Sequence, residues 1–158
     1  MDVLRRGLEV LPDDQRLLYA RALVYERMDR VEEALRDLQR MVALNPDDPD
    51  ALNALGYTLA DRTQRLEEAQ VLIEKALALK PDEPAIIDSL GWVLFRRGEA
   101  AKAEIQLRKA FEMQPDAEIA AHLGEVLWSL GRRDEARRIW DEGKARDGDL
   151  VRFDLARS

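Results

Sequence analysis

The chain has 158 residues, no cysteine, a single histidine and a formal net charge of −7. Disulfides, thiolate metal sites and multi-histidine clusters or relays are excluded, and an acidic balance disfavours nucleic acid and anionic membrane surfaces, which both require a basic face. Hydrophobic residues at 46% and charged residues at 36% fit a folded, helix-rich chain rather than a disordered one.

Taken in order, residues 1–11 read as a lone second-type helix, ended by Pro12. A first helix pair follows at 14–28 and 31–44, closed by Pro46. The next pair lies at 48–62 and 65–79, closed by Pro81, and a third at 83–97 and 100–113, closed by Pro115. The last pair is 117–130 and 133–146, with Gly148 where the others have proline. Residues 149–157 read as a short closing helix or a frayed tail. The four prolines are spaced 34, 35 and 34 residues apart, after LEVLP, VALNP, LALKP and FEMQP. Proline removes a donor and disfavours helix in the residue before it, so it ends each second helix.

Two further markers share the period. Ala34, Ala69, Ala103 and Ala136 recur in EEALRDL, EEAQVLI, AKAEIQL and DEARRIW. Ala22, Gly56, Gly91 and Gly124 recur in the first helices, the last three in ALGYTLA, SLGWVLF and HLGEVLW. Small residues let two helices approach closely. Gly98 and Gly131 fall where a first helix should stop, and glycine takes the left-handed conformation that closes it. Asp29 and Thr63 hold the matching places with weaker stop chemistry. One extra residue near Thr63–Arg65 predicts a longer turn there, and one residue is missing near Asp116.

The fold class that follows is all-α: antiparallel helix pairs stacked into a solenoid, right-handed in the family that these markers resemble. The expected organisation is one array: a half repeat at 1–12, full repeats at 13–48, 49–83, 84–116 and 117–148, and a cap or tail at 149–158. A single repeat cannot bury its apolar face, so neighbours must stack.

These markers resemble the tetratricopeptide repeat (TPR) family: Leu-Gly and a large residue in the first helix, Ala and a bulky apolar residue in the second, then Pro. Leu38, Ile73, Leu107 and Trp140 take the bulky second-helix positions. A narrower resemblance is carried by YARALVYERMDRVEEALRDL, DALNALGYTLADRTQRLEEA and DSLGWVLFRRGEAAKAEIQLRKA, with ALGYTLADRT (54–63) the most distinctive stretch. It is similar to the C-terminal part of bacterial TPR lipoproteins that act as adaptors for a periplasmic C-terminal-processing protease. That resemblance implies a bacterial scaffold on the periplasmic side of the outer membrane, its lipid-anchored N-terminus lying outside this sequence. Without it, a cytoplasmic scaffold is the expectation.

Helical periodicity sorts the first helices. Leu18, Ala22 and Tyr25 face the core, as do Leu52, Leu55 and Leu59, then Ile87, Leu90 and Leu94, then Leu123 and Leu127. The remaining stripe is the expected partner-binding groove. It carries Tyr19 and Leu23, with Arg16 and Glu26; then Asn53, Tyr57 and Asp61, with Asp50; then Asp88, Trp92, Phe95 and Arg96; then Glu125 and Trp128, with Glu118. Aromatics there offer contact area at low entropic cost, Asn53 can reach a peptide's backbone amides, and the acids can take a basic residue. Core packing between units competes as the use of each aromatic. Trp92 and Phe95, three residues apart, are expected in the groove and Trp140 in the core. Acidic Asp50, Asp88 and Glu118 depart from the basic carboxylate clamp of some TPR domains, so an acidic chaperone tail is a poor match.

The expected function is a non-catalytic scaffold that binds a protein or peptide, with no cofactor and no metal. His122 reads as a packing or surface residue. The carboxylate pairs sit at helix starts, where they favour the helix dipole, and the Leu-Gly steps lie inside helices, not in a phosphate loop. No run is long and apolar enough for direct membrane insertion, and the start MDVLRRGLEVLPDD is unlike a signal peptide. The alternative expectation is a homo-oligomer through exposed terminal helices, where Leu4, Leu8 and Leu11 lack a cap.

Overall fold

Three of the first helices start on a side-chain cap visible in the sequence. The Asp14 and Asp116 carboxylates accept from the backbone N–H of Leu17 at 3.0 Å and Ile119 at 2.9 Å, and Asp48 accepts from Asp50 at 3.0 Å. These caps satisfy donors that the first turn leaves unpaired. Pro49 and Pro84 sit in the first turn, where a missing N–H costs nothing. A computed structural model describes residues 1–157, with side chains described through Arg146. Among these residues it is helical throughout: α1 Asp2–Val10, α2 Gln15–Arg27, α3 Val31–Leu44, α4 Pro49–Arg62, α5 Leu66–Leu79, α6 Pro84–Arg96, α7 Ala100–Met113, α8 Ala117–Ser129 and α9 Arg133–Arg157. The all-α expectation holds. The helices α1, α3, α5 and α7 each stop two residues before a proline.

The turns between paired helices follow the stop residues. Gly98 and Gly131 adopt φ of +85° and +81°, and Asp29 takes +59°. Thr63 does not follow them. It stays extended at φ −137° and its hydroxyl donates to the Leu59 carbonyl at 2.6 Å and accepts from Arg65 N–H at 3.0 Å. The longer turn expected at Thr63–Arg65 is therefore corrected. The loop keeps three residues, and the extra one extends α4 to 14 residues against 13 in α2, α6 and α8. The link from α7 to α8 is one residue shorter than its counterparts, as expected near Asp116. Nor does a separate helix begin at residue 149. Gly148 leaves α9 unbroken as a 25-residue element, because glycine, unlike proline, keeps its N–H.

The chain divides into two compact units, Met1–Lys80 and a second from Pro81 on. In the first, α2 pairs with α3 and α4 with α5, α1 lies against α2, and α3 against α4. Leu18, Ala22, Leu35, Leu38, Leu52, Leu59 and Ile73 fill its core. Arg21 on α2 donates to the buried Asp37 on α3 at 2.8 and 2.6 Å. In the second unit, α6 pairs with α7 and α8 with α9, and both α7 and α6 pack on α8. Its core holds Ile87, Val93, Leu107, Leu123, Val126 and Leu127.

The recurring small residues explain how the pairs close. A Cβ built on Gly56 would stand 2.7 Å from Ile73 Cγ1, and one on Gly91 2.5 Å from Leu107 Cγ. One on Gly124 would collide with the Trp140 indole. Thus on α4, α6 and α8 the missing side chain is the hole that receives the bulky residue of the paired second helix. Trp140 itself is half-buried, less enclosed than the core position expected for it.

Candidate functional site

The stripe residues of α2 and α4 lie at matching repeat positions, Tyr19 with Asn53 and Leu23 with Tyr57, 34 residues apart. The two first helices are tied by Thr58, whose hydroxyl donates to the Glu26 carboxylate at 2.8 Å, and Arg62 at the end of α4 pairs with Asp29 in the turn after α2. Tyr19 and Leu23 are exposed at 42% and 36%. Tyr57 is half-buried and Asp61 exposed. Asn53 is half-buried, and its Oδ1 is enclosed without a hydrogen-bond partner. A buried amide oxygen ordinarily has one, because leaving it unpaired costs about 1–3 kcal/mol.

The second unit arranges its stripe differently. Trp92 is only 7% exposed, so the expectation that it lies open in a groove is corrected. Its indole stacks on the His122 imidazole with centroids 4.4 Å apart and meets the Phe95 ring at 5.4 Å. Phe95 is half-buried and keeps part of the aromatic surface accessible. Asp88 is likewise buried rather than open, and its carboxylate oxygens lie 2.9 and 3.1 Å from His122 Nδ1. Arg96 and Glu125 are exposed. Trp128 is 37% exposed. It lies 5.7 Å from the Trp140 ring, with the Arg133 and Arg137 guanidiniums over it at 4.8 and 5.4 Å.

Sequence reasoning did not find the His122–Asp88 pair, although a signal existed. The two residues are 34 apart, one repeat, and residues one repeat apart on successive first helices are neighbours when those helices pack together. The pairing of Thr58 with Glu26 also joins successive first helices, at a separation of 32 that repeat spacing alone does not point to.

Away from the stripe, Glu104, Arg108, Arg132 and Glu135 form a charge network joining α7 to α9. Arg132 reaches Glu104 at 2.8 Å and Glu135 at 2.6 Å, and Arg108 pairs with both acids. The hydrogen bond from Arg108, with a further one from Arg132, holds the Glu135 carboxyl below the usual carboxylate range. This lies beside a cleft of about 310 Å³ lined by Arg108, Phe111, Leu123 and Arg146. No helix among the described residues is long and apolar enough to cross a membrane.

Comparison with known proteins decides the family. Three family models described as tetratricopeptide repeats match residues 1–54, 49–83 and 89–149. This chain belongs to the tetratricopeptide repeat family. The TPR repeat-containing protein PA4667 of Pseudomonas aeruginosa is 49% identical over 122 residues, 77% of this chain. The chain spans about a fifth of that relative's length, 21%. Among solved structures, a thermophilic TPR protein of Thermus thermophilus superposes with a TM-score of 0.79 at 28% identity, covering 98% of this chain and 87% of its own. PilW, a type IV pilus biogenesis factor, shares the fold with a TM-score of 0.77 at 19% identity, covering 92% of this chain and 67% of its own. TPR repeats are protein–protein interaction scaffolds, and the fold of this chain places it among them.

Proposed function

We propose that this chain is a non-catalytic scaffold that holds an extended segment of a partner protein against its first-helix faces. The observation that carries the reading is Asn53. Its enclosed Oδ1 lacks a donor, on a helix face that also presents Tyr57 and, at the matching positions of α2, the exposed Tyr19 and Leu23. A bound peptide would lay its side chains on the aromatic and apolar surfaces, and an outward turn of the half-buried Asn53 amide would bring Oδ1 to a peptide backbone N–H that supplies the missing donor. In the second unit, Phe95, Arg96, Glu125 and Trp128 are the residues open to such a partner.

The test is selection of binding peptides from a random library on the full chain, then titration of one selected peptide. Asn53→Ala is expected to weaken binding by about 1–3 kcal/mol, and Tyr19→Ala and Tyr57→Ala to weaken it further. Selected peptides that bind all three variants as tightly as the parent would reject the assignment.

The finer reading concerns the partner. The stretches at 19–38, 50–69 and 88–110 resemble adaptors of a periplasmic C-terminal-processing protease, and the likeness to a bacterial TPR repeat-containing protein supports a bacterial scaffold. A purified protease of that class should bind the full chain. Absence of binding at high micromolar concentration would remove this partner and leave the peptide-binding test untouched.

A second reading, self-association, rests on α1. Leu8 is buried there, correcting its expected place on an uncapped surface, and Leu4 is half-buried. Leu11 is exposed at 54% as expected, and Val3 and Val10 join it at 83% and 77%. A strictly monomeric mass in light scattering at high protein concentration would end this reading.

A further inference from the structure

Asp88 on α6 and Glu118 and His122 on α8 each present one donor atom, and the three atoms all lie within 4.8 Å of one another. Two of the residues are fixed in place. The Asp88 and His122 side chains are 6% and 10% exposed, and the imidazole plane is set by stacking on Trp92 at 4.4 Å. Glu118 precedes His122 by one helical turn, so both project from the same face of α8. Glu118 is exposed.

We propose that Asp88, Glu118 and His122 bind one divalent cation of the zinc type. In a tetrahedral zinc site with bonds of roughly 2.0–2.1 Å, neighbouring ligand atoms stand about 3.3 Å apart. The 2.9 and 3.1 Å between His122 Nδ1 and the Asp88 oxygens already approach that spacing. A set of two oxygens and one nitrogen suits zinc and its first-row neighbours, whereas magnesium and calcium favour oxygen alone. Three protein ligands leave one position open for water or for a carboxylate from a bound partner. The sequence expectation of no metal rested on the absence of a multi-histidine site, and this arrangement needs only one histidine. It does not depend on the peptide-binding reading.

His122 is the only histidine in the chain, so its ring C–H signals in a proton NMR spectrum report on this site alone, provided the purified full chain carries no histidine tag. After chelator treatment, titration with zinc chloride should move those signals to saturation at one ion per chain, and magnesium chloride should leave them in place. Calorimetry of Glu118→Gln, an exposed substitution that leaves the core intact, should show zinc affinity reduced by roughly tenfold or more, since even an outer-shell partner is worth that much. His122→Gln should abolish the one-to-one event. Zinc that leaves the imidazole signals unmoved, or that binds Glu118→Gln as tightly as the parent chain, would overturn the proposal and reduce the trio to a buried hydrogen bond beside a surface acid.

Discussion

Gly91 faces Leu107 so closely that a single added carbon would lie 2.5 Å from the leucine Cγ. Leu107 is fully buried, so it cannot move aside without disturbing its neighbours. Gly91→Ala is therefore expected to destabilise the protein by about 1–3 kcal/mol through overpacking. Gly98→Ala is the contrast. Nothing lies within 4 Å of its Cβ position, but its φ is +85°, so the cost is confined to the backbone, about 1–2 kcal/mol. Chemical denaturation of the two variants separates the causes: Gly91→Ala should be relieved by Leu107→Ala in the same chain, and Gly98→Ala should not.

The pair Arg21–Asp37 gives a second prediction. Asp37 is 5% exposed and takes two hydrogen bonds from the guanidinium. Arg21→Leu would leave an unpaired carboxylate in the core of the first unit, at a cost of about 2–3 kcal/mol, moderated because Arg21 itself is partly exposed. Arg21→Leu combined with Asp37→Leu should recover most of that loss in urea denaturation. A double variant weaker than the single one would contradict the desolvation argument.

Acid sensitivity follows from Glu135. Its folded pKa lies below its ordinary value, chiefly through the hydrogen bond from Arg108. A depressed carboxylate stabilises the fold fully above its unfolded pKa, about 4.3, and loses that contribution as pH falls through the lower folded value. Glu135→Gln should lower Tm at pH 7, and the gap to the parent chain should close below about pH 4. A gap that is constant with pH would show that the network does not act through this charge.

Trp92 and Trp128 should separate stability from recognition. Trp92→Ala removes a buried indole and is expected to cost about 3–5 kcal/mol, with loss of the stacking on His122. Trp128→Ala acts on a side chain 37% exposed and should leave Tm within a few degrees while weakening a bound peptide. Thermal melts and one peptide titration on each variant check both halves.

The helix pairs were legible because each rests on residues whose backbone effects are local. Proline stops a helix whatever surrounds it, and the small residue of each first helix must face its partner. Thr63 shows where such local reading ends. Without a residue at ease in the left-handed region, the chain extended α4 and let the threonine hydroxyl satisfy a carbonyl. The stripe was less legible. Helical phase assigned Trp92 the same direction as Phe95, yet phase says nothing of what the neighbouring repeat places over it, and there His122 covers the indole. The His122–Asp88 and Thr58–Glu26 pairs escaped because their partners lie in different repeats, where the chemistry of each looks ordinary.

The hole at each glycine has one further consequence. Trp140 is far bulkier than Ile73 or Leu107, and the latter two differ in branching, yet each occupies the space left by the glycine facing it. The lock between paired helices is thus an omission on one side, tolerant of what enters from the other. Duplicated repeats could drift apart in sequence while keeping their register, because only the small residue had to be preserved.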